Sequence, residues 1–208
     1  MQTYFARCII LTNVRKGGVW KTVPEQDLKT RIKQAAVDQF DRDGYHGTTI
    51  RNIAKAVDCS LPMVYYYYKS KQELFHEIIK QDYFELLKRQ AVNSRTDNIL
   101  DFYTEYVHQL HFLSEYDRKV YRLGVKVYLS FDGDEELMEI MDKWEKSILP
   151  RHTQLVMPHL AGAANGTILV RTLVHLLENL VESIVVKNRT LPKEEIREEL
   201  AVILFPGQ

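Results

Sequence analysis

The chain has 208 residues, 45% of them hydrophobic, with 28 Lys+Arg against 28 Asp+Glu and a formal net charge of zero. No apolar run approaches the ~20 residues of a membrane span, and two cysteines, Cys8 and Cys59, supply neither a disulfide framework nor a zinc site, which fits a reducing interior. The neutral total hides a split. Residues 1–72 carry 12 Lys+Arg and 6 Asp+Glu, whereas residues 73–208 carry 16 and 22, so a basic front on an acidic body points to a polyanion as partner for the front.

Residues 1–24 contain RKGG, a Trp and a Pro without clear periodicity, and are expected to form a loose or partly ordered arm. The patch YFARCIILTNV within it has no preceding basic residue and no small-residue cleavage site, so it is not read as a secretory signal, and the cytoplasm is the expected location. From Asp27 the pattern becomes helical: Leu28, Ile32, Ala35, Ala36 and Phe40 share one face, and Gly44 is the stop. A short second helix follows in TTIRNIAKAV, capped by Thr48 or Thr49, with Ile50, Ile53, Ala54 and Val57 inward. Asp58-Cys59 breaks it. Ser60 then caps a third, very short helix with Pro62 in its first turn, where a missing N–H costs nothing. Ser70 with Glu73 three places on forms a capping box for a fourth helix running through Leu74, Phe75, Ile78, Ile79, Leu86 and Leu87.

Beyond Arg95 the expected helices are 97–113, 115–130, 134–157, 166–188 and 193–204, separated in several places by SRTDN, DGDE and NRTLPKEE. No strand-like alternation persists, and the fold class is all-α. The expected organisation is an arm over 1–24, a small helical module over 25–72 and a helical bundle over 73–208.

Two short helices joined by a tight turn and braced by a longer one are a helix-turn-helix. The second helix of such a pair enters the major groove and presents its N-terminal side chains to base edges, here Ser60, Leu61, Pro62 and Met63. These are short or apolar, suited to thymine methyls and a few hydroxyl contacts. Thr48, Thr49 and Ser60 lead helices whose free N–H groups suit phosphate, and Arg51 and Lys55 are either backbone contacts or ordinary solvated charges. The run Tyr65-Tyr66-Tyr67-Tyr68 fans over roughly 300° of a helix, so all four rings cannot be core, and some must face something polar.

The segment TRIKQAAVDQFDRDGYHGTTIRNIAKAVDCSLPMVYYYYKSKQELF, Thr30 to Phe75, resembles the DNA-binding domain of the tetracycline-repressor (TetR) family. The shared features are a helix ending in Phe and Gly-Tyr, a Thr-Thr pair, Ile-Ala in the second helix, and a following run of the form L-Y-x-x-F-x-S-K-x-x-L. The resemblance covers under a quarter of the chain. It implies that Tyr68 takes the place of a core phenylalanine, that Tyr65 lies beside the DNA backbone, that Tyr66 and Tyr67 face phosphate or base edges, and that Lys71 contacts phosphate. It also implies a homodimer on a double-stranded operator and a small-molecule effector. Asp58 stands where the family often has glycine, and Asp tolerates a left-handed turn better than most residues. The Tyr68 hydroxyl, absent from phenylalanine, needs a partner.

In the second half, TILVRTLVHLLENLVESIVV is apolar on two sides: Leu169, Leu173, Leu176, Leu177, Leu180 and Ile184 form one row, and Val170, Val174, Val181 and Val185 the other. One side suits its own domain and the other a partner copy, with Ile196, Leu200, Ile203 and Leu204 completing a four-helix interface; a monomer core needing both rows is the alternative. Gly162 and Gly166 are spaced for a helix start or close packing. The middle helices are rich in aromatics. Phe102, Tyr103, Tyr106, Phe112, Tyr121, Tyr128 and Trp144 are the candidate lining of a cavity for an apolar, aromatic or acyl effector, with Tyr116 and Phe131 as further aromatics. Glu105, His108, His111 and Glu115 share a sector of one helix, a spacing that also suits an exposed polar stripe, and no metal or cofactor is assigned. No glycine-rich phosphate loop, Gly-x-Ser-x-Gly elbow or His-Glu-x-x-His motif occurs, so no enzyme is expected. The reading is a ligand-responsive transcriptional repressor. The alternative is a helical module that binds a partner protein and has little specific affinity for DNA.

Overall fold

The computed structural model describes residues 12–16, 19–23, 25–93, 98–130, 134–160 and 165–205, with side chains described from Leu28 onward except at 91–93 and 129–130. Cys8, Phe131 and Gly162 lie outside the described residues. Ten α-helices occur among the described residues: α1 Glu25–Gly47, α2 Ile50–Ala56, α3 Leu61–Tyr67, α4 Lys71–Glu77, α5 Phe84–Asn93, α6 Ile99–His108, α7 Glu115–Ser130, α8 Glu135–Val156, α9 Gly166–Val181 and α10 Lys193–Leu204. The chain divides into two compact units, one ending at Lys80 and one beginning at Gln81.

The arm contains a pair of strands that the sequence pattern did not signal. Strands β1 Thr12–Lys16 and β2 Val19–Val23 pair antiparallel, with Lys16 opposite Val19 and Thr12 opposite Val23. The Thr- and Val-bearing runs flank Gly17-Gly18 in the sequence, a pair favoured in two-residue hairpin connections. The runs are too short for their alternation to stand out from an irregular segment.

In the first unit α1 breaks at Gly44, whose φ of 73° and ψ of 173° form a backbone conformation open mainly to glycine. Leu28, Ile32, Ala36 and Phe40 pack inward, as the helical spacing requires. The Phe40 ring meets Phe75 edge-on at 4.9 Å, and Tyr45 lies 5.0 Å from the same ring, so three aromatics hold α1 to α4. Arg31 donates to the Val57 carbonyl at 2.8 Å and fixes the end of α2 against α1. Ser70 accepts from Glu73 N–H at 3.0 Å, and the Glu73 carboxylate accepts from Lys69 N–H at 2.6 Å. The reciprocal bond therefore reaches one residue further back than a standard capping box.

The expected long fourth helix is interrupted by a π-helical turn at Ile78–Tyr83, a feature that hydrophobic spacing does not reveal. A second π turn, Glu182–Val186, follows α9, and a 3₁₀ turn, Gln109–Phe112, follows α6. In the second unit Val170, Leu173, Val174, Leu177, Leu180, Ile184 and Val185 are all buried within the single chain, and Leu169, Leu176 and Val181 are half-buried. Both apolar rows thus serve the chain's own core to a large extent. Arg118 ties α7 to both turns, donating to the carbonyls of Ile184 (2.9 Å), His111 (3.3 Å) and Leu110 (3.4 Å). Among the described residues no helix is long and apolar enough to cross a membrane.

Candidate nucleic-acid interface and ligand cavity

Helix α3 is seven residues long and begins with Pro62 in its first turn, where the missing N–H breaks no helical bond. Val64 and Tyr68 are its inward anchors; Tyr68 is 1% exposed. The Tyr68 hydroxyl donates to Glu77 Oε1 at 3.3 Å, and Lys29 Nζ lies 5.3 Å from the ring centroid and 3.2 Å from Glu77. Glu77 thus supplies the partner that this hydroxyl needs. With that ring fixed inward, helical geometry turns its neighbours out: Tyr65 and Tyr66 are 47% and 58% exposed. Tyr67 is half-buried and meets Tyr66 edge-on at 5.0 Å. Ser60, Leu61 and Pro62 are exposed at the leading end and Met63 is half-buried.

The approach to this helix is set by two turns. Asp58 adopts φ 53°, the left-handed conformation that the sequence required of a residue standing where glycine is common. Thr49 caps α2, accepting from Asn52 N–H at 3.2 Å, and is exposed beside Arg51 and Lys55. Ser60 is the N-cap residue of α3, but its hydroxyl accepts no capping bond.

Two residues behave differently from expectation. Thr48 is 1% exposed and donates its hydroxyl to the Gly44 carbonyl at 2.8 Å. Its side chain closes the end of α1 and does not face outward, joining the Thr48 N–H (3.2 Å) on the same Gly44 carbonyl. Lys71 Nζ donates to the carbonyls of Tyr45 (2.7 Å) and Thr48 (3.0 Å) and lies 4.3 Å from the Tyr45 ring centroid. Partial burial lowers its pKa from the ordinary lysine value. The ammonium therefore staples the α1–α2 turn, spending two of its three donors there.

The second unit contains a cavity of about 460 Å³, within the range of drug-sized sites. Of the seven aromatics proposed from sequence, Tyr106, Tyr121, Tyr128 and Trp144 line it. Phe102, Tyr103 and Phe112 are not among its lining residues: Tyr103 is fully buried beside it, and Phe112, in the 3₁₀ turn, is 69% exposed against His108. Tyr103 does reach the wall indirectly, through a 2.7 Å hydrogen bond between its hydroxyl and His152 Nδ1. Sequence reading missed Tyr83 and His152. Tyr83 ends the first π turn and meets the Tyr121 ring edge-on at 5.8 Å. Burial and then Arg151 lower the His152 pKa, while burial raises those of Tyr83, Tyr103, Tyr106 and Tyr121, so the phenols stay neutral.

The histidine-carboxylate stripe has a structural explanation. His111 Nε2 accepts from Leu191 N–H at 3.1 Å while Nδ1 faces the His108 carbonyl at 3.0 Å, so both ring nitrogens are engaged. Glu105 is paired with Lys193 at 2.7 Å, and Glu115 with Lys119 at 2.6 Å. No group able to hold a metal ion occurs among the described residues.

Residues 32–78 match the family described as bacterial regulatory proteins, tetR family. The chain is 32% identical over 127 residues to the uncharacterized HTH-type transcriptional regulator YhgD of Bacillus subtilis, covering 59% of this chain and 64% of that protein. It is 27% identical over 126 residues to the HTH-type transcriptional regulator QacR of Staphylococcus aureus, covering 59% and 65%. In both cases the match spans less than two thirds of the relative. The fold is similar to that of a TetR-like transcriptional regulator from Rhodococcus sp. RHA1, with a TM-score of 0.68 at 17% identity over 89% of this chain and 97% of the other. The exposed α3 and the left-handed turn before it lie within residues 32–78, the stretch that matches the tetR family of bacterial regulatory proteins, and the chain shares the fold of a TetR-like regulator.

Proposed function

We propose that the chain is a cytoplasmic, homodimeric DNA-binding repressor that leaves its operator when a small molecule fills the second unit's cavity. The observation that carries the DNA reading is the division of α3: Val64 and Tyr68 are buried, while Leu61, Pro62, Tyr65 and Tyr66 project from a helix narrow enough for the major groove. Thr49, Arg51 and Ser60 flank it and supply phosphate contacts, and the N–H groups leading α2 add to them. Tyr67 and Met63, half-buried, border the same face. Lys71 contributes by holding the turn that sets the angle of α2 and α3, with one donor left over for phosphate.

A single short helix reads few bases, so specificity requires two copies spaced along the duplex. The side chains left for that contact include Ile168 on α9 and Val202 on α10, exposed at 62% and 74%. Occupancy of a promoter by such a dimer excludes other proteins from it, which gives repression. Effector binding shifts the population toward a conformer whose reading helices no longer match the two half-sites.

The test is a titration of purified protein with duplex from the region upstream of its own gene, repeated from 50 to 200 mM salt. Affinity falls by orders of magnitude over that range if several phosphates are contacted. A flat salt response, or equal affinity for a shuffled duplex, refutes the reading and favours a protein-binding bundle.

A further inference from the structure

The electrostatic character of the cavity narrows what it accepts. Four phenol rings, from Tyr83, Tyr106, Tyr121 and Tyr128, line it with the Trp144 indole. The lining residues that carry full charge are two glutamates, Glu178 and Glu182; no lysine or arginine is among the described lining residues. Glu182 is paired with Lys187 at 3.0 Å, which leaves Glu178 as the less neutralised of the two. Glu178 and Tyr128 both line the cavity, and the Tyr128 phenol pKa is raised by burial, by Glu145 and, to a smaller extent, by Glu178. Trp144 already receives a cation: the Arg151 guanidinium lies 4.0 Å from its ring centroid and also donates to the Ser147 carbonyl at 3.1 Å.

An anionic ligand entering this space would lose its hydration and meet negative ring faces and carboxylates. A cation would exchange water for ring faces and a carboxylate, the arrangement that aromatic cages use for ammonium groups. We propose that this cavity selects an organic cation, a protonated amine or quaternary ammonium with an apolar tail, its charge held between the Tyr128 ring and the Glu178 carboxylate. The tail lies among Tyr83, Tyr106, Tyr121 and Leu87. This rests on the reading of the cavity as the effector site, and it replaces the apolar or acyl effector expected from sequence with a class of defined charge.

The test uses two probes of equal chain length and opposite charge, dodecyltrimethylammonium and dodecanoate, each below its micelle concentration, titrated into the full chain by calorimetry at pH 8. The ammonium is expected to bind at least tenfold tighter. Glu178→Gln, at an exposed position whose replacement leaves the fold intact, lowers ammonium affinity about fivefold or more and leaves dodecanoate binding unchanged or tighter. Tyr128→Phe retains ammonium binding within about twofold, whereas Tyr128→Leu loses several-fold. Equal or tighter binding of dodecanoate, no binding of either probe, or indifference of the ammonium to Glu178→Gln overturns the proposal. Duplex binding measured without probe separates the two readings: if it persists while charge selectivity is absent, only the cationic class fails.

Discussion

Replacing Lys71 by methionine tests the staple on the α1–α2 turn. Methionine keeps most of the apolar stem and removes the ammonium. Two charged hydrogen bonds to the Tyr45 and Thr48 carbonyls are lost, at 2.7 and 3.0 Å, together with the contact to the Tyr45 ring at 4.3 Å. Charge-assisted bonds contribute about 1.5–3 kcal/mol when fully sheltered. Lys71 is only half-buried, so roughly 1 kcal/mol each is appropriate, with about 0.5–1 kcal/mol more for the ring contact. The expected loss is about 2–3 kcal/mol, or roughly 5–10 °C in melting temperature for a chain of this size. Thermal unfolding by circular dichroism, in the absence of DNA, reads it. If Lys71 acted only on phosphate, the melting temperature would hold while duplex affinity fell. An unchanged melting curve therefore refutes the staple.

Four further outcomes follow from the same geometry. Thr49→Ala removes the acceptor for Asn52 N–H and lowers stability by about 1 kcal/mol in chemical denaturation. Tyr68→Phe loses the bond to Glu77 and costs about 0.5–1.5 kcal/mol, whereas Tyr68→Ala opens the core and costs about 3–5 kcal/mol. A methyl group at Gly124 would stand 2.3 Å from the Tyr83 ring, so Gly124→Ala displaces that ring, lowers stability by about 1–3 kcal/mol and alters ligand binding in calorimetry. His152 has a lowered pKa in the folded chain, so the unfolded chain binds the extra proton first. Stability is fully present above the ordinary value of 6.5 and is lost as pH falls from there through the folded pKa; His152→Gln flattens that part of the denaturation profile.

Much of the first unit was legible because its signals are local. Gly44 and Asp58 mark positive-φ positions, Thr49 and Ser70 mark caps, and the resemblance to the TetR DNA-binding domain implied that Tyr68 turns inward, where it is buried. Helices α7 and α10 likewise keep the bounds that periodicity gives them. Other features depend on partners distant in sequence. Lys71 turns inward to carbonyls 23 and 26 residues away. The cavity shows the same limit. Tyr106, Tyr121, Tyr128 and Trp144 were found as aromatics on middle helices, but Tyr83 reaches the wall at the end of a π turn that no spacing rule anticipates. His152 escaped notice because it was not read as part of any motif, and Phe112 was over-read because an aromatic at the end of a helix need not point inward.

The most direct measurement is the affinity of a Tyr65→Ala, Tyr66→Ala double variant for the duplex upstream of its own gene, by fluorescence anisotropy at fixed salt. Both rings are exposed, so folding is retained and melting stays within about 0.5 kcal/mol of the parent. The account predicts a loss of tenfold or more in specific affinity, with weak binding to shuffled duplex changing far less. Unchanged specific affinity in a correctly folded double variant would contradict the claim that the outer face of α3 reads DNA.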